Sequence, residues 1–241
     1  MKLFLSSYKP SLFAGVYLAT FIAVPLGRFW AGDGYNWTLL GGIMLVVLFT
    51  AAAAEWRAYD QLGTSFNAWM NSAASTALFA AIPLASAATV SAAYNQLRTP
   101  YYKYGDPFLV TNSQPVQHMG TNGELYWVDA AGQDVTTVAF TLATTALLYL
   151  VASFAGIALG LAATSHRIGV TVLGVVAAGI GYAFTYKLIH QAYTHYDFET
   201  GAVWITESAN VAAEIAAIIV AALVVTGFAT FLITRTPRFV K

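Results

Sequence analysis

The sequence predicts an all-α membrane protein with six transmembrane helices, cytoplasmic N and C termini, and an extracellular loop that contains a small β-hairpin. Of its 241 residues, 58% are apolar and 9% are charged, and the mean hydropathy is +0.63. A water-soluble domain carries about 25% charged residues. The chain also contains six uncharged runs close to the length of about 20 residues that a helix needs to cross a bilayer.

We expect one membrane span in each of the six apolar runs, which are residues 11–27, 37–54, 67–94, 137–164, 168–192 and 208–233. The first run follows Lys2 and Lys9, as a signal peptide would. It ends without a small-x-small cleavage site and five further runs follow it, so we expect a retained helix. All six spans belong to a single transmembrane domain, residues 1–241.

The basic residues between the spans predict the orientation, because Lys and Arg are enriched in cytoplasmic loops. Seven lie on the side that both termini share, and four lie on the other side: Arg28, Arg98, Lys103 and Lys187. Both termini are therefore predicted to be cytoplasmic. We expect tryptophans at the two membrane interfaces, with Trp30, Trp37 and Trp204 outside and Trp56 and Trp69 inside.

Residues 95–136 form the largest predicted loop, on the outer side, and a loop of this length usually has structure or function of its own. Residues 124–128, the turn-like residues 130–133 and residues 134–136 read as a small β-hairpin. A second outer segment, residues 193–207, has β-prone runs around Thr200 and Gly201 and is expected to pair beside it. The loop is either a solvated cap or a surface for a substrate or partner.

The inner loop between the second and third spans, residues 55–63, predicts a short helix at the membrane face. Apolar residues recur at helical spacing, Gly63 suits a helix C-terminus, and Thr64 or Ser65 suits the start of the next helix. Such a helix either anchors at the interface or fits a socket on a cytosolic partner. The candidate partner-binding residues are Glu55, Trp56, Arg57, Tyr59, Asp60, Gln61 and Gly63.

Polar side chains also fall inside the spans. Lys187 and Glu214 lie at matching depth in the fifth and sixth spans, so we expect an intramembrane ion pair that either locks two helices or lines a transport path. A polar patch at the inner end of the third span joins helices or lines a cavity. Its members are Asn67, Asn71, Ser72, Ser75 and Thr76, and the candidate cavity-lining residues are Asn67, Asn71 and Ser75.

Several kinds of chemistry have no residues in this sequence. The 11 basic residues balance the 11 acidic ones, which argues against nucleic acid as a partner, and the absence of cysteine excludes disulfides and thiol nucleophiles. No phosphate-binding loop, nucleophile elbow or zinc helix occurs. His190 and His195 fall on different helical faces, so we expect no metal site there. The sequence predicts neither an enzyme nor a bound cofactor.

Two short stretches resemble a known family. Gly63-Thr64-Ser65 at the start of the third span is similar to the entry of this span in small six-span ABC-2-type permeases, the membrane subunits of bacterial ABC exporters. Residues 156–160, followed by His166-Arg167-Ile168-Gly169, resemble the end of their fourth span and its inner turn. The chain departs from the family pattern at Phe66, where Arg is usual, and at Ile168, where an aromatic residue is usual.

This resemblance implies a multi-pass subunit of the bacterial plasma membrane that pairs with a second, identical or homologous permease. Each copy would dock on a separate ATP-binding cassette ATPase subunit, which holds the ATP and Mg²⁺, and residues 55–63 would be the coupling helix. Export is the implied direction. Two other functions stay open: a six-span substrate-capture subunit of an importer, and a non-transporting immunity or assembly protein that acts through its outer loop.

Overall fold

The computed structural model describes residues 2–6, 9–31, 34–98, 108–109, 117–119, 125–127, 133–163, 192–196 and 203–207. These residues form six helices and four short strands. The helices are α1 (Lys2–Leu5), α2 (Pro10–Ala31), α3 (Gly34–Ala53), α4 (Trp56–Gln61), α5 (Phe66–Arg98) and α6 (Val135–Ala163). The strands are β1 (Gln117–Met119), β2 (Leu125–Trp127), β3 (Ala192–Tyr196) and β4 (Val203–Glu207).

Four helical segments are long and apolar enough to cross a membrane, judged by length and composition: α2, α5, α6 and Asn36–Gln61, which runs from α3 through α4. They coincide with the first four apolar runs of the sequence, and those four predicted spans are confirmed as long apolar helices. The architecture is that of a multi-pass membrane protein. The predicted span at 208–233 lies outside the described residues, as does that at 168–192 except for Ala192, which begins β3.

The four long helices pack around one another, and each packs most extensively on two neighbours. Helix α2 packs on α3 and α5, and α6 packs on the same two helices from the other side. The seam between α3 and α6 is the closest. A Cβ atom placed on Gly156 would lie 2.6 Å from the Val46 carbonyl oxygen, and one on Gly160 would overlap the Thr50 carbonyl oxygen. The small residues at 156 and 160 therefore let the two backbones approach, as such motifs do in membrane helices.

Helix α5 presents a row of small side chains to the interior. Ala73, Ala77, Ala81 and Ala85 are fully buried along it. Pro83 lies within this helix and has no backbone N–H to donate. Close by, the Tyr17 hydroxyl of α2 donates a hydrogen bond of 2.8 Å to the Ala80 carbonyl oxygen. This bond fastens α2 to α5 beside the proline.

The strands form one antiparallel sheet in the order β2-β1-β4-β3. The predicted hairpin partner is wrong: β2 pairs with the upstream strand β1, and Val135 begins α6. Asp134 explains the difference, because its carboxylate accepts a 2.7 Å hydrogen bond from the Thr137 N–H and so caps α6. The expected pairing of the second outer segment is confirmed, since β3 and β4 form a hairpin and β4 pairs with β1.

Candidate functional site

Helix α4 confirms the short helix predicted between the second and third spans. Gly63 follows it with φ +74°, a conformation that glycine adopts without strain. The Gly63 N–H donates to the Asp60 carbonyl at 3.0 Å, and the Thr64 N–H donates to the Tyr59 carbonyl at 3.0 Å. These two bonds form the Schellman motif, which ends a helix firmly. Ser65 then caps α5, because its Oγ accepts a bond of 3.2 Å from the Ala68 N–H.

The side chains of α4 divide between an exposed face and a buried face. All four charged and amide positions that the sequence predicted as partner-binding are exposed, as is Gly63; they are Glu55, Arg57, Asp60 and Gln61. Tyr59 is only 3% exposed, so its ring belongs to the interior. Trp56 is half-buried. The surface available to a partner is therefore formed by the charged and amide residues and not by Tyr59.

Leu62, at the C-terminal end of α4, is a surface residue that sequence reasoning missed. Its side chain is 81% exposed, in the turn that follows α4, beside Asp60 and Gln61. The signal was its place directly before Gly63, because the motif that ends α4 turns the chain sharply there. This exposed apolar side chain, with charged and amide residues around it, is available for contact with a partner surface.

Aromatic rings form a compact base under α4. The ring of Trp56 lies 4.9 Å from that of Trp69 and 5.2 Å from that of Phe66, measured between centroids. Trp69 also packs edge-on against Phe4 at 5.3 Å. Trp69 is fully buried, so its ring faces the rest of the fold. Aromatic pairs at these distances stabilise by about 0.5–1.5 kcal/mol beyond their buried area, so the base resists displacement of α4.

The N-terminal residues complete this end of the bundle. Phe4 in α1 is fully buried and stacks on Phe49 of α3 at 5.6 Å. Its N–H donates a hydrogen bond of 3.0 Å to Ser72 Oγ on α5. Ser6 Oγ lies 2.9 Å from the hydroxyl oxygen of Tyr59 on α4. Sequence analysis missed these contacts, although the apolar residues Leu3, Phe4 and Leu5 beside Lys2 were a signal.

The polar patch of α5 divides between two faces. Asn67 and Asn71 are exposed and Ser75 is half-buried, whereas Ser72 and Thr76 are buried. Ser72 joins α5 to α1 through its bond to Phe4, as expected for a residue that joins helices. Ser75 donates to the Asn71 carbonyl of its own helix at 2.8 Å. A cavity-lining role for Asn67, Asn71 and Ser75 stays a prediction, and Lys187 and Glu214 lie outside the described residues.

Arg28 forms a polar node at the opposite end of the bundle. It was expected in the connection between the first two spans, but α2 continues to Ala31 and the Arg28 side chain is 1% exposed. One guanidinium nitrogen donates to the Ala88 carbonyl at 2.7 Å and to Ser91 Oγ at 3.2 Å. The other donates to the Gly34 carbonyl at 3.2 Å and to Thr38 Oγ1. Arg28 thus fastens α2 to the start of α3 and to α5.

The described residues place no group of three or more His, Asp or Glu side chains where they would hold a metal ion. Comparisons with protein-family models, curated proteins and solved structures find no match to this chain. An assignment of function therefore rests on the geometry of α4 and on the residue patterns of the sequence.

Proposed function

We propose that this chain is the membrane-spanning permease subunit of an ABC transporter of the bacterial plasma membrane, working as an exporter with a second permease copy or homologue. The observation that carries the proposal is α4, a short helix that is capped at its C-terminus, seated on aromatic rings, and charged on its exposed face. A separate ATPase subunit, which binds ATP and Mg²⁺, would grip this helix.

The chemistry of the exposed face supports a protein partner. Arg57 and Asp60 offer both signs of charge, Gln61 offers donors and an acceptor, and Leu62 offers an apolar anchor. Interfaces commonly join an apolar anchor to a polar rim. A helix that served only to rest in lipid would turn its large apolar residue toward the bilayer and its aromatic residues toward the interface. Here most of the aromatic surface faces the fold instead.

The rigidity of α4 supports force transfer. A helix of six residues is too short to be stable alone, so its order depends on its cap and on its packing. The Schellman bonds fix the end that joins α5, and Trp56 and Tyr59 fix the buried face. A push on the exposed face would therefore reach α5 directly through the Thr64–Ser65 joint. Tilting of packed helices about their contacts is an established way for membrane transporters to alternate access.

Site-specific photo-crosslinking in native cells tests the proposal. A photoreactive amino acid replaces Leu62. In a matched control it replaces Trp30, which is 84% exposed near the C-terminal end of α2. We expect position 62 to capture a protein that contains a phosphate-binding loop and hydrolyses ATP, and position 30 not to capture it. Capture of only lipid at position 62, or of the same proteins at both positions, would contradict the proposal.

A second candidate is a non-transporting protein that binds a peptide or protein through its outer side. The observation that favours it is the sheet, because β1 and β2 come from one outer segment and β3 and β4 from another. Joining two distant segments gives a surface that neither forms alone. Deletion of residues 121–133, which spares the Asp134 cap of α6, separates the two functions. If the chain acts by binding a peptide or protein on its outer side, the deletion abolishes that activity. If the chain is a permease, the deletion leaves capture of the ATPase at position 62 intact.

A further inference from the structure

We infer that residues 2–6, named here the N-terminal latch, set the position of α4 and couple it to α5. The inference rests on the proposed function in one respect only, which is the purpose that a movement of α4 would serve. The latch itself is a property of this chain alone. Its basis is that five residues at the N-terminus contact three separate elements at the end of the bundle where α4 lies.

The latch contacts α4 through one polar pair. Ser6 Oγ lies 2.9 Å from the hydroxyl oxygen of Tyr59, and Ser6 Oγ also lies 3.1 Å from the Leu3 carbonyl, to which it donates. Either hydroxyl of the Ser6–Tyr59 pair can be the donor of this bond. Tyr59 is at the centre of the buried face of α4. This bond thus ties the middle of the short helix to the N-terminus.

The latch contacts α3 and α5 through Phe4. The ring of Phe4 is fully buried between Phe49 and Trp69, at centroid distances of 5.6 and 5.3 Å. The Phe4 N–H donates to Ser72 Oγ at 3.0 Å, so backbone and side chain are both engaged. Trp69 in turn contacts Trp56 of α4. Phe4 therefore supports α4 a second time, through the tryptophan pair.

The construction of α4 explains why a latch matters. Glu55, at the N-cap position of α4, makes no side-chain capping hydrogen bond. The N-terminal end of α4 therefore lacks a cap like the one that Gly63 forms at the C-terminal end. A first turn without a side-chain cap opens more easily than a capped one; in α4 the Ala58 N–H donates to the Glu55 carbonyl at 3.0 Å. The Ser6 bond at Tyr59 restrains the helix just beyond that turn. Release of residues 2–6 would therefore loosen α4.

Amide hydrogen exchange on the full chain in lipid nanodiscs tests the latch, with no ATPase present. The variants are Ser6→Ala and Tyr59→Phe, singly and together, and Ser72→Ala. Ser11→Ala and Tyr94→Phe are matched controls that remove the same hydroxyls from exposed sites on α2 and α5. We expect exchange across residues 56–63 to rise about three- to tenfold in each latch variant, the range for loss of one hydrogen bond, and not in the controls.

Two further results decide between a latch and a general loss of stability. Ser6→Thr keeps the hydroxyl and is expected to restore slow exchange. Ser6→Ala also removes the bond to the Leu3 carbonyl, so the double variant is expected to exchange no faster than the faster of the two single variants, because the Ser6–Tyr59 bond is lost in each. Unchanged exchange at residues 56–63 in Ser6→Ala and Ser72→Ala would overturn the inference. An equal rise throughout α3, α5 and α6 would overturn it too. Because the experiment contains no partner, it stands or fails independently of ATPase binding.

Discussion

Replacement of Gly156 by alanine tests the close seam between α3 and α6. The new Cβ atom would lie 2.6 Å from the Val46 carbonyl oxygen and 2.8 Å from Phe49 Cβ, where ordinary contact begins at 3.4 Å. Both neighbours belong to the backbone or to its first side-chain atom, so neither can rotate away. The helices would have to separate locally by about 0.8 Å to restore contact distance.

The control for this prediction is Gly15→Ala in α2, where a Cβ atom meets nothing within 4 Å. Alanine favours a helix over glycine by about 1 kcal/mol, and this gain applies to both variants. Overpacking costs about 1–3 kcal/mol and applies only at position 156. We therefore expect the free energy of unfolding of Gly156→Ala to be about 1–3 kcal/mol below that of Gly15→Ala.

Unfolding by SDS titration in mixed micelles, followed by tryptophan fluorescence, gives this difference. Comparing two Gly→Ala variants removes helix propensity from the result, so the difference reports the seam alone. Equal stability of the two variants would refute the packing of α3 on α6 described above. A lower stability of Gly15→Ala would refute it more strongly.

Three further substitutions test the joints of the fold. Arg28→Lys keeps the charge but loses the planar fork that reaches Ala88, Ser91 and Gly34, so we expect about 1–3 kcal/mol lower stability by the same titration. Asp134→Ala removes the α6 cap and is expected to cost about 1 kcal/mol and to speed exchange of the first α6 amides. Gly63→Ala forces a Cβ atom into a left-handed backbone, and about 1–2 kcal/mol of strain should appear as faster exchange of α4. If any of these three variants has the stability and exchange of the wild-type chain, the contact described for that residue is contradicted.

The parts of the fold that sequence predicts well are those with a local cause. Long apolar runs give the four described spans, and Gly63 followed by Ser65 gives the end of α4 and the start of α5. Both signals act within a few residues, through hydropathy, left-handed glycine and serine capping. The same reasoning placed a strand at residues 134–136, because valine and threonine favour strands. The aspartate cap and the helical residues after it outweighed that preference.

The parts that sequence misses depend on contacts between distant residues. Five residues at the N-terminus have no periodicity to interpret, and Phe4 meets Phe49 and Trp69 only once the helices have packed. A charge count assigns Arg28 to a loop, since the acceptors that bury it come from α3 and α5. Tyr59 was predicted as a partner contact because it is an aromatic residue of the short helix, whereas packing turns it toward Ser6.

Electron cryo-microscopy of the chain, purified from its native membrane in lipid nanodiscs, tests the central claim most directly. The account predicts a nucleotide-binding protein in contact with α4, with Asp60 and Leu62 at the contact and Tyr59 still turned toward Ser6. A well-ordered structure in which the exposed face of α4 meets only solvent or lipid head groups would contradict it.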